Sequence, residues 1–243
     1  MCTVTYIPSG DHFFFTSNRD EQAGRAIAAF PELHKINGQN ILFPKDQQAG
    51  GSWIAVHENG NVAVMLNGAV RAHQPEPPYR KSRGLILLDL VSKSSPAGAF
   101  EDSDFTRIEP FTVILFEEEK LWSGKWDGME IQLQSLNTAK PHIWSSVTLY
   151  DPFAIHKRET WFSRWLAENP NPSATDIIRF HQQGGDGDPF NDLLMNREGR
   201  LFTNSISSIR LSPDAADFRY IDLRNSKTAD RFMPFQKTIP VKA

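Results

Sequence analysis

The side chain best suited to nucleophilic chemistry stands at the second position of the sequence. Cys2 is the only cysteine in a chain of 243 residues. Once the initiator methionine is removed, its thiol and a free α-amino group belong to one residue. A cysteine thiol titrates near pH ~8.5 and an α-amino group near ~7.7–8.0, so this amine can take the thiol proton as sulfur attacks a carbonyl. Cys2 therefore predicts an N-terminal nucleophile that carries its own base.

Charged residues follow an intensely apolar run a short distance along the chain. The segment "SNRDE" (17–21) comes directly after "HFFFTS". Charges that enter a buried strand are costly unless they are paired or functional. A guanidinium from Arg19 near Cys2 would favour the thiolate, and the carboxylate of Asp20 would hold or orient the amine. The alternative is a charged turn, with Arg19 and Asp20 forming a surface ion pair.

The other groups that could do chemistry carry weaker signals. The seven histidines show no HxxxH or HxH spacing, and Asp186, Asp188 and Asp192 do not match a calcium-binding loop. We therefore expect no metal and no cofactor. The six tryptophans are typical of a packed core, and Trp53, beside "GGS", is the one we expect to form a pocket wall.

Composition excludes several classes of partner. The net charge is -3, and no basic run is longer than "YRKSR" (79–83), which argues against nucleic acid. No apolar stretch approaches the ~20 residues that span a bilayer. A single cysteine with no basic and apolar leader before it favours a reducing, cytoplasmic location. The oligomeric state is not indicated.

Two predicted hairpins would position the reactive residues. The first folds "CTVTYI" and "HFFFTSNRD" about the "PSGD" turn, which brings residues 17–20 back over residues 1–3. The second folds "GGSWIAVHENGNVAVMLNG" about Asn59-Gly60, and Asn67 ends its return arm. If the hairpins pack or pair side by side, Cys2, Arg19, Asp20 and Asn67 converge at one end of a sheet.

The remaining elements come in blocks. A helix is predicted in "YRKSRGLILLDLVSKS", and a three-strand meander follows from residue 110 to 136. Two further helices are predicted, one capped by Asp151 with Pro152 in its first turn and one capped by Ser173. Two strands end the chain. Strands and helices that do not alternate favour antiparallel sheets with helices on their outer faces, an α+β sandwich formed by one domain over residues 1–243.

The quoted segments resemble one known family. "MCT", "SNRDE" and "GGSWIAVHENGNVAVMLNG" are similar to the NRDE family, also called the transport-and-Golgi-organisation-2 family, which resembles the N-terminal-nucleophile cysteine amidases of the penicillin V acylase and bile salt hydrolase type. The resemblance implies a four-layer αββα fold with Cys2 as nucleophile. It also implies roles for Arg19, for an acid that is either Asp20 or Glu21, and for Asn67 as an oxyanion-hole donor.

The sequence departs from this family at two places. Many members have a Ser-Asn pair on a later strand, where this chain has Ser145-Ser146. Ser146 has a shorter reach than asparagine, and Asn204 in "FTNS" is another candidate for binding the substrate. The amidases also use an arginine from a terminal strand, for which Arg210 and Arg219 are the candidates here.

Two functions follow from these observations. The first is an amidohydrolase that cleaves a non-peptide C–N amide of a small molecule through Cys2. The second is a carrier that retains the hydrolase fold and binds a hydrophobic small molecule without cleaving it. Retention of Cys2, Arg19 and Asp20 favours the hydrolase, and the missing asparagine favours the carrier.

Overall fold

The computed structural model describes residues 3–236, and within that range the chain forms fourteen strands and four helices. The strands are β1 (Thr3–Ser9), β2 (His12–Gln22), β3 (Ala29–Ile36), β4 (Gln39–Lys45), β5 (Ile54–His57), β6 (Val62–Asn67), β7 (Phe111–Glu117), β8 (Lys120–Trp126), β9 (Ile131–Leu136), β10 (His142–Ser145), β11 (Asn196–Arg197), β12 (Leu201–Leu211), β13 (Ala215–Asp222) and β14 (Lys227–Pro234). The helices are α1 (Arg83–Val91), α2 (Pro96–Glu101), α3 (Pro152–Glu168) and α4 (Ala174–Gln183).

The strands form two antiparallel sheets. The first sheet has the order β10-β1-β2-β12-β13-β14, with β11 paired to one end of β12. The second sheet contains β3 to β9 in chain order. The predicted sandwich of two antiparallel sheets is confirmed.

Three apolar cores separate four layers. Between the sheets lie side chains such as Tyr6, Phe15 and Phe116. The helices α1 and α2 cover the outer face of the second sheet through a core that includes Leu87 and Phe100. On the other side, Phe14 and residues from α3 and α4, including Phe162 and Phe180, form the third core. The layer order is helix, sheet, sheet, helix, as predicted.

Local sequence signals fixed the helix starts. Asp151 accepts from the amide of Ala154 at the start of α3, and Pro152 lies in the first turn. Ser173 and Asp176 form a reciprocal capping box at the start of α4. Among residues 3–236, no helix is both long and apolar enough to cross a bilayer.

The two N-terminal hairpins form with the predicted partners, but they do not share one sheet edge. Thr3 pairs with Asn18 in β1–β2, and Ile54 pairs with Val64 in β5–β6. The first hairpin belongs to the first sheet and the second hairpin to the second sheet. The expectation of a common edge was therefore wrong, because a sandwich sets the two hairpins face to face across the inter-sheet core.

Other elements were not predicted. The sequence interpretation assigned "NILFP" as the strand that β4 forms, and it reached β10 only through the family resemblance at Ser145-Ser146. It omitted β3, α2, β11 and β14, so it ended the chain with two strands where a third, β14, follows. β3 and β14 are rich in charged residues, and their exposed positions blur the alternation that marks a half-buried strand.

Candidate functional site

The segment 17–21 lies at the end of β2, and its residues face opposite sides of the first sheet. Side chains alternate across a strand. Asn18 and Asp20 therefore face the α3 and α4 layer, whereas Arg19 and Glu21 face the second sheet. Arg19 and Asp20 are both almost fully buried, so the segment is not an exposed charged turn.

On the side that faces the second sheet, Arg19 is held by two carboxylates and an indole ring. Its Nη2 donates to Asp46 Oδ2 at 2.9 Å and more weakly to Glu21 Oε2 at 3.3 Å. The guanidinium carbon lies 4.7 Å from the centre of the Trp53 ring. Ion pairing and a cation–π contact together fix the orientation of the guanidinium.

Asp46 accepts hydrogen bonds from a second arginine and from two backbone amides. Its Oδ2 also accepts from Arg25 Nη2 at 3.0 Å, and its Oδ1 accepts the amides of Gln48 and Ala49 at 2.9 and 2.8 Å. Burial opposes ionisation of Asp46, but the Ala49 amide, the hydrogen bond from Arg25 and the charges of Arg25 and Arg19 outweigh it and lower the pKa of the carboxyl. Asp46 is therefore an anion at neutral pH and compensates the charge of Arg19.

These groups line a cavity of about 510 Å³ between the end of β2 and the start of α1. Trp53, Met65 and Asn67 contribute from the second hairpin. Its charged lining residues are Arg19, Arg25, Lys81 and Arg83 together with Glu21, Asp46 and Glu109, and Ser52, Tyr79 and Ser82 add hydroxyl groups. The cavity is of ligand size, and charged side chains form much of its lining beside the apolar Trp53 and Met65.

A close backbone crossing places the start of α1 at the cavity. The amide of Ser52 donates to the carbonyl of Gly84 at 3.2 Å. A Cβ atom on Gly51 would lie 2.3 Å from the carbonyl carbon of Gly84, so glycine is required for this approach. Arg83, beside it, pairs with Glu109 at 3.0 Å; burial lowers the pKa of the guanidinium despite the opposing charge of Glu109.

On the helix-facing side, Asp20 accepts two hydroxyl hydrogen bonds. Tyr150 donates to Oδ2 at 2.7 Å and Thr203 donates to Oδ1 at 2.5 Å. The ring of Tyr150 lies 3.5 Å beneath the guanidinium carbon of Arg158. Arg158 is fully buried and donates to the hydroxyl of Thr3 and to the carbonyls of Asn191 and Asp192. This network ties the first described residue of β1 to α3.

Asn18 connects β2 to α4. Its amide nitrogen donates to the carbonyls of His181 and Leu193, so its oxygen accepts from Nδ1 of His181 at 2.7 Å. Nε2 of His181 then accepts from the Thr5 hydroxyl at 2.8 Å. Burial, with a smaller effect from Arg158, lowers the pKa of His181 to about 3, and the imidazole is neutral.

Comparison with known proteins identifies the family. The family model described as Transport and Golgi organisation 2 matches residues 1–179. The chain belongs to the Transport and Golgi organisation 2 family. No protein with a curated description matches the sequence at a significant level.

Solved structures show which fold this member of the Transport and Golgi organisation 2 family has. A mutant of the conjugated bile acid hydrolase from Clostridium perfringens, with a cysteine replaced by alanine, matches with a TM-score of 0.59 and 10% identity over 98% of this chain and 97% of that chain. The N-acylethanolamine-hydrolyzing acid amidase orthologue from Caenorhabditis elegans matches with a TM-score of 0.57 and 10% identity over 86% and 92% of the two chains. The shared fold is that of the N-terminal-nucleophile hydrolases.

The structure brings together four of the residues named from the sequence. Arg19, Trp53, Asn67 and Glu21, the alternative to Asp20 for the acid, line the cavity, and Trp53 forms part of its wall. Asp20 lies on the opposite face of β2, one residue away in the chain. Cys2, the predicted nucleophile, lies outside the described residues.

The remaining predicted residues of this Transport and Golgi organisation 2 family member lie elsewhere. Ser146 is buried and donates to the backbone oxygen of Asn67 at 2.8 Å, but it is not among the described lining residues. Asn204 is buried in β12 where the register with β2 shifts. Arg210 and Arg219 are partly exposed and pair with Asp217 and Asp230, away from the cavity. Neither side chain therefore supplies to this cavity the terminal-strand arginine that the amidases use.

The sequence interpretation missed most of the charged lining. Asp46, Arg25 and Glu109 lie in or beside loops where no local pattern marks them. Tyr79, Lys81, Ser82 and Arg83 belong to the "YRKSR" run, which we judged too short for a nucleic-acid patch and included in the first predicted helix, whereas that helix begins only at Arg83. A basic run immediately before a helix was the available signal. Across residues 3–236, no three His, Asp or Glu side chains are grouped so that they could hold a metal ion.

Proposed function

We propose that the protein is an amidohydrolase that cleaves a non-peptide C–N amide bond of a small molecule, with Cys2 as nucleophile and the α-amine of Cys2 as base. The fold and the family support a hydrolase of this kind. Both solved proteins named above carry hydrolysis of a conjugate or an N-acyl compound in their descriptions.

The observation that carries the proposal is the position of Arg19. β1 begins at Thr3, which pairs with Asn18, so the chain enters the first sheet at the level of Arg19. Arg19 is buried beside a ligand-sized cavity. Burial of a charged side chain costs free energy of folding unless the charge is paired or serves a function. A guanidinium fixed at the entry of the N-terminal strand favours a thiolate there.

The two faces of β2 suggest a division of roles. On the cavity side, Arg19 favours the thiolate and Asn67 donates to the oxyanion. On the helix side, Asp20 balances the α-ammonium and is itself oriented by Tyr150 and Thr203. A single oxyanion donor of this kind lowers the barrier by about 3–4 kcal/mol.

The reaction has two steps. The thiol of Cys2 transfers its proton to the α-amine as sulfur bonds to the amide carbonyl carbon, and the resulting oxyanion is held by Asn67. The tetrahedral intermediate collapses, the C–N bond breaks and the α-ammonium returns the proton to the leaving amine. The same amine then removes a proton from water as the water oxygen bonds to the thioester carbonyl carbon. The C–S bond breaks, the carboxylic acid leaves and the α-ammonium returns the proton to the Cys2 thiolate.

A second candidate function is a carrier that binds its ligand without cleaving it. The observation that favours it is Ser146, which replaces the asparagine of the family pattern. Its hydroxyl is engaged by the Asn67 backbone oxygen and by Thr148 at 2.9 Å. A second oxyanion donor is therefore not provided at this position.

The thiol's acidity tests the proposal. Iodoacetamide alkylation of Cys2, followed against pH by peptide mass spectrometry, is expected to give an apparent pKa below the ordinary ~8.5. Arg19→Met should raise it, because the neighbouring cation is lost. Arg219→Met, which removes an arginine of an exposed ion pair, is the matched control and should leave it unchanged.

Release of amine separates the two candidate functions. A panel of N-acyl amides is incubated with the protein, and the free amine is measured. Turnover that is lost in Cys2→Ala supports the hydrolase. Binding of the same amides with no amine released, together with an ordinary thiol pKa in both arginine variants, supports the carrier and overturns the hydrolase.

A further inference from the structure

Two buried hydrogen-bond donors in the cavity have no partner. Nη1 of Arg19 and Nε1 of Trp53 find no acceptor among residues 3–236. Both side chains line the cavity, and both residues are only 3% exposed. A guanidinium and an indole can donate but cannot accept. Buried donors are almost always satisfied, so this pair calls for an acceptor supplied by a ligand.

The start of α1 adds a third donor region to the same cavity. Lys81, Ser82, Arg83 and Gly84 line it at the N-terminus of this nine-residue helix. The first turn contains no acidic side chain. Ser82 caps the helix by accepting from the amide of Leu85, and the helix dipole gives this N-terminus a positive potential that favours anions.

The carboxylates of the lining do not accept from the two unpartnered donors. Four cations and three carboxylates line the cavity, and the fourth cation, Lys81, pairs with Asp89 outside the lining, so the charges are balanced and the carboxylates already accept from neighbours. Asp46 uses both oxygens on Arg19, Arg25 and backbone amides. Glu109 pairs with Arg83 and His73, and Glu21 accepts from Arg19 and from the amide of Gln22.

We infer that the cavity binds an oxyanion, a carboxylate or phosphate group of its ligand, between Arg19 Nη1, Trp53 Nε1 and the N-terminus of α1. The inference deepens the proposed function, since it makes the substrate an amide that carries an anionic group. It concerns binding alone and does not need Cys2 to react.

A matched pair of small amides tests the inference. N-acetylglycine and N-acetylglycinamide are nearly equal in size and differ in charge, and inorganic phosphate serves as a third probe. Binding is followed by ¹H–¹⁵N NMR of the tryptophan indole groups in the full chain. The resonance of Trp53 is the one lost in Trp53→Phe.

We expect N-acetylglycine to shift the Trp53 indole resonance and the neutral amide to bind at least about 10-fold more weakly, since hydrogen bonds to charged groups contribute about 1.5–3 kcal/mol. Arg19→Met should weaken binding by about 10- to 100-fold. Trp53→Phe keeps an aromatic ring beneath Arg19 and should also weaken binding, as judged from the backbone amides of the α1 start. The exposed-arginine variant Arg219→Met should bind as the wild type does.

The outcomes distinguish this inference from the proposed function. Equal affinity for both amides, or unchanged anion binding in both Arg19→Met and Trp53→Phe, overturns the oxyanion site even if neutral amides are hydrolysed. Selective anion binding with no hydrolysis of N-acyl amino acids supports the oxyanion site and counts against the hydrolase. A preference for phosphate over N-acetylglycine, or the reverse, identifies which oxyanion the site takes.

Discussion

The hydroxyl of Tyr150 donates to the carboxylate of Asp20 at 2.7 Å on the helix-facing side of the first sheet, while the adjacent Arg19 faces the cavity on the other side. One strand end thus supplies a buried anion to one layer and a buried cation to the next. Arg158 stacks on the ring of Tyr150 and donates to the hydroxyl of Thr3, so the network around Asp20 reaches the start of β1.

Tyr150→Phe should destabilise the fold by about 1–3 kcal/mol, because Asp20 loses a donor in a buried site. Asp20→Ala should cost a similar amount or more. Since both substitutions remove the same hydrogen bond, the double variant should lose less than the sum. Urea unfolding of the four proteins measures this coupling, and additive losses would show that the two groups do not interact.

His181 should make stability depend on acid pH. Its pKa is about 3 in the folded protein and ~6.5 in an unfolded chain. Between these values the unfolded state binds a proton that the folded state does not, so stability falls as pH falls from about 6.5 towards 3. The expected slope for one group is at most about 1.4 kcal/mol per pH unit.

This slope can be assigned with two histidine variants. Urea unfolding at a series of pH values between 4 and 7 should show a shallower dependence in His181→Gln than in the wild type. His156→Gln, at an exposed position on α3, is the control and should retain the wild-type slope. An unchanged slope in His181→Gln would mean that the imidazole is not held neutral.

The crossing of Gly51 over Gly84 should tolerate no side chain. A methyl group at Gly51 meets backbone atoms at 2.3 to 2.7 Å, so Gly51→Ala should destabilise the protein by about 1–3 kcal/mol. It should also weaken oxyanion binding, because the start of α1 must move. Gly24→Ala, with nothing within 4 Å, is the matched control. Equal stabilities in the two variants would contradict the close approach.

Local sequence signals predicted most of the fold. Asp151 and Ser173 begin helices as side-chain caps do, and Asn59-Gly60 lies at the turn of the second hairpin. Such signals depend on neighbours a few residues away. The pairing of the first hairpin also followed from its turn, which brought Asn18 back beside Thr3.

The composition of the site depended on contacts between distant segments. Asp46 reaches Arg19 only after two sheets have packed face to face, and nothing near Asp46 in the sequence marks it. The segment 79–83 reaches the cavity because Gly51 and Gly84 allow two backbones to touch. Alternation along β2, which separates Arg19 from Asp20, could have been predicted from the strand assignment.

The central claim is that Cys2 is an N-terminal nucleophile, and the intact mass of the natively expressed protein tests it most directly. We predict that the protein lacks Met1 and that a β-lactam probe adds its whole mass once, since ring opening leaves the amine attached. The adduct should map to Cys2 and be absent in Cys2→Ala. Quantitative retention of Met1, or a reactive β-lactam that leaves Cys2 unmodified at every pH tested, would contradict the claim.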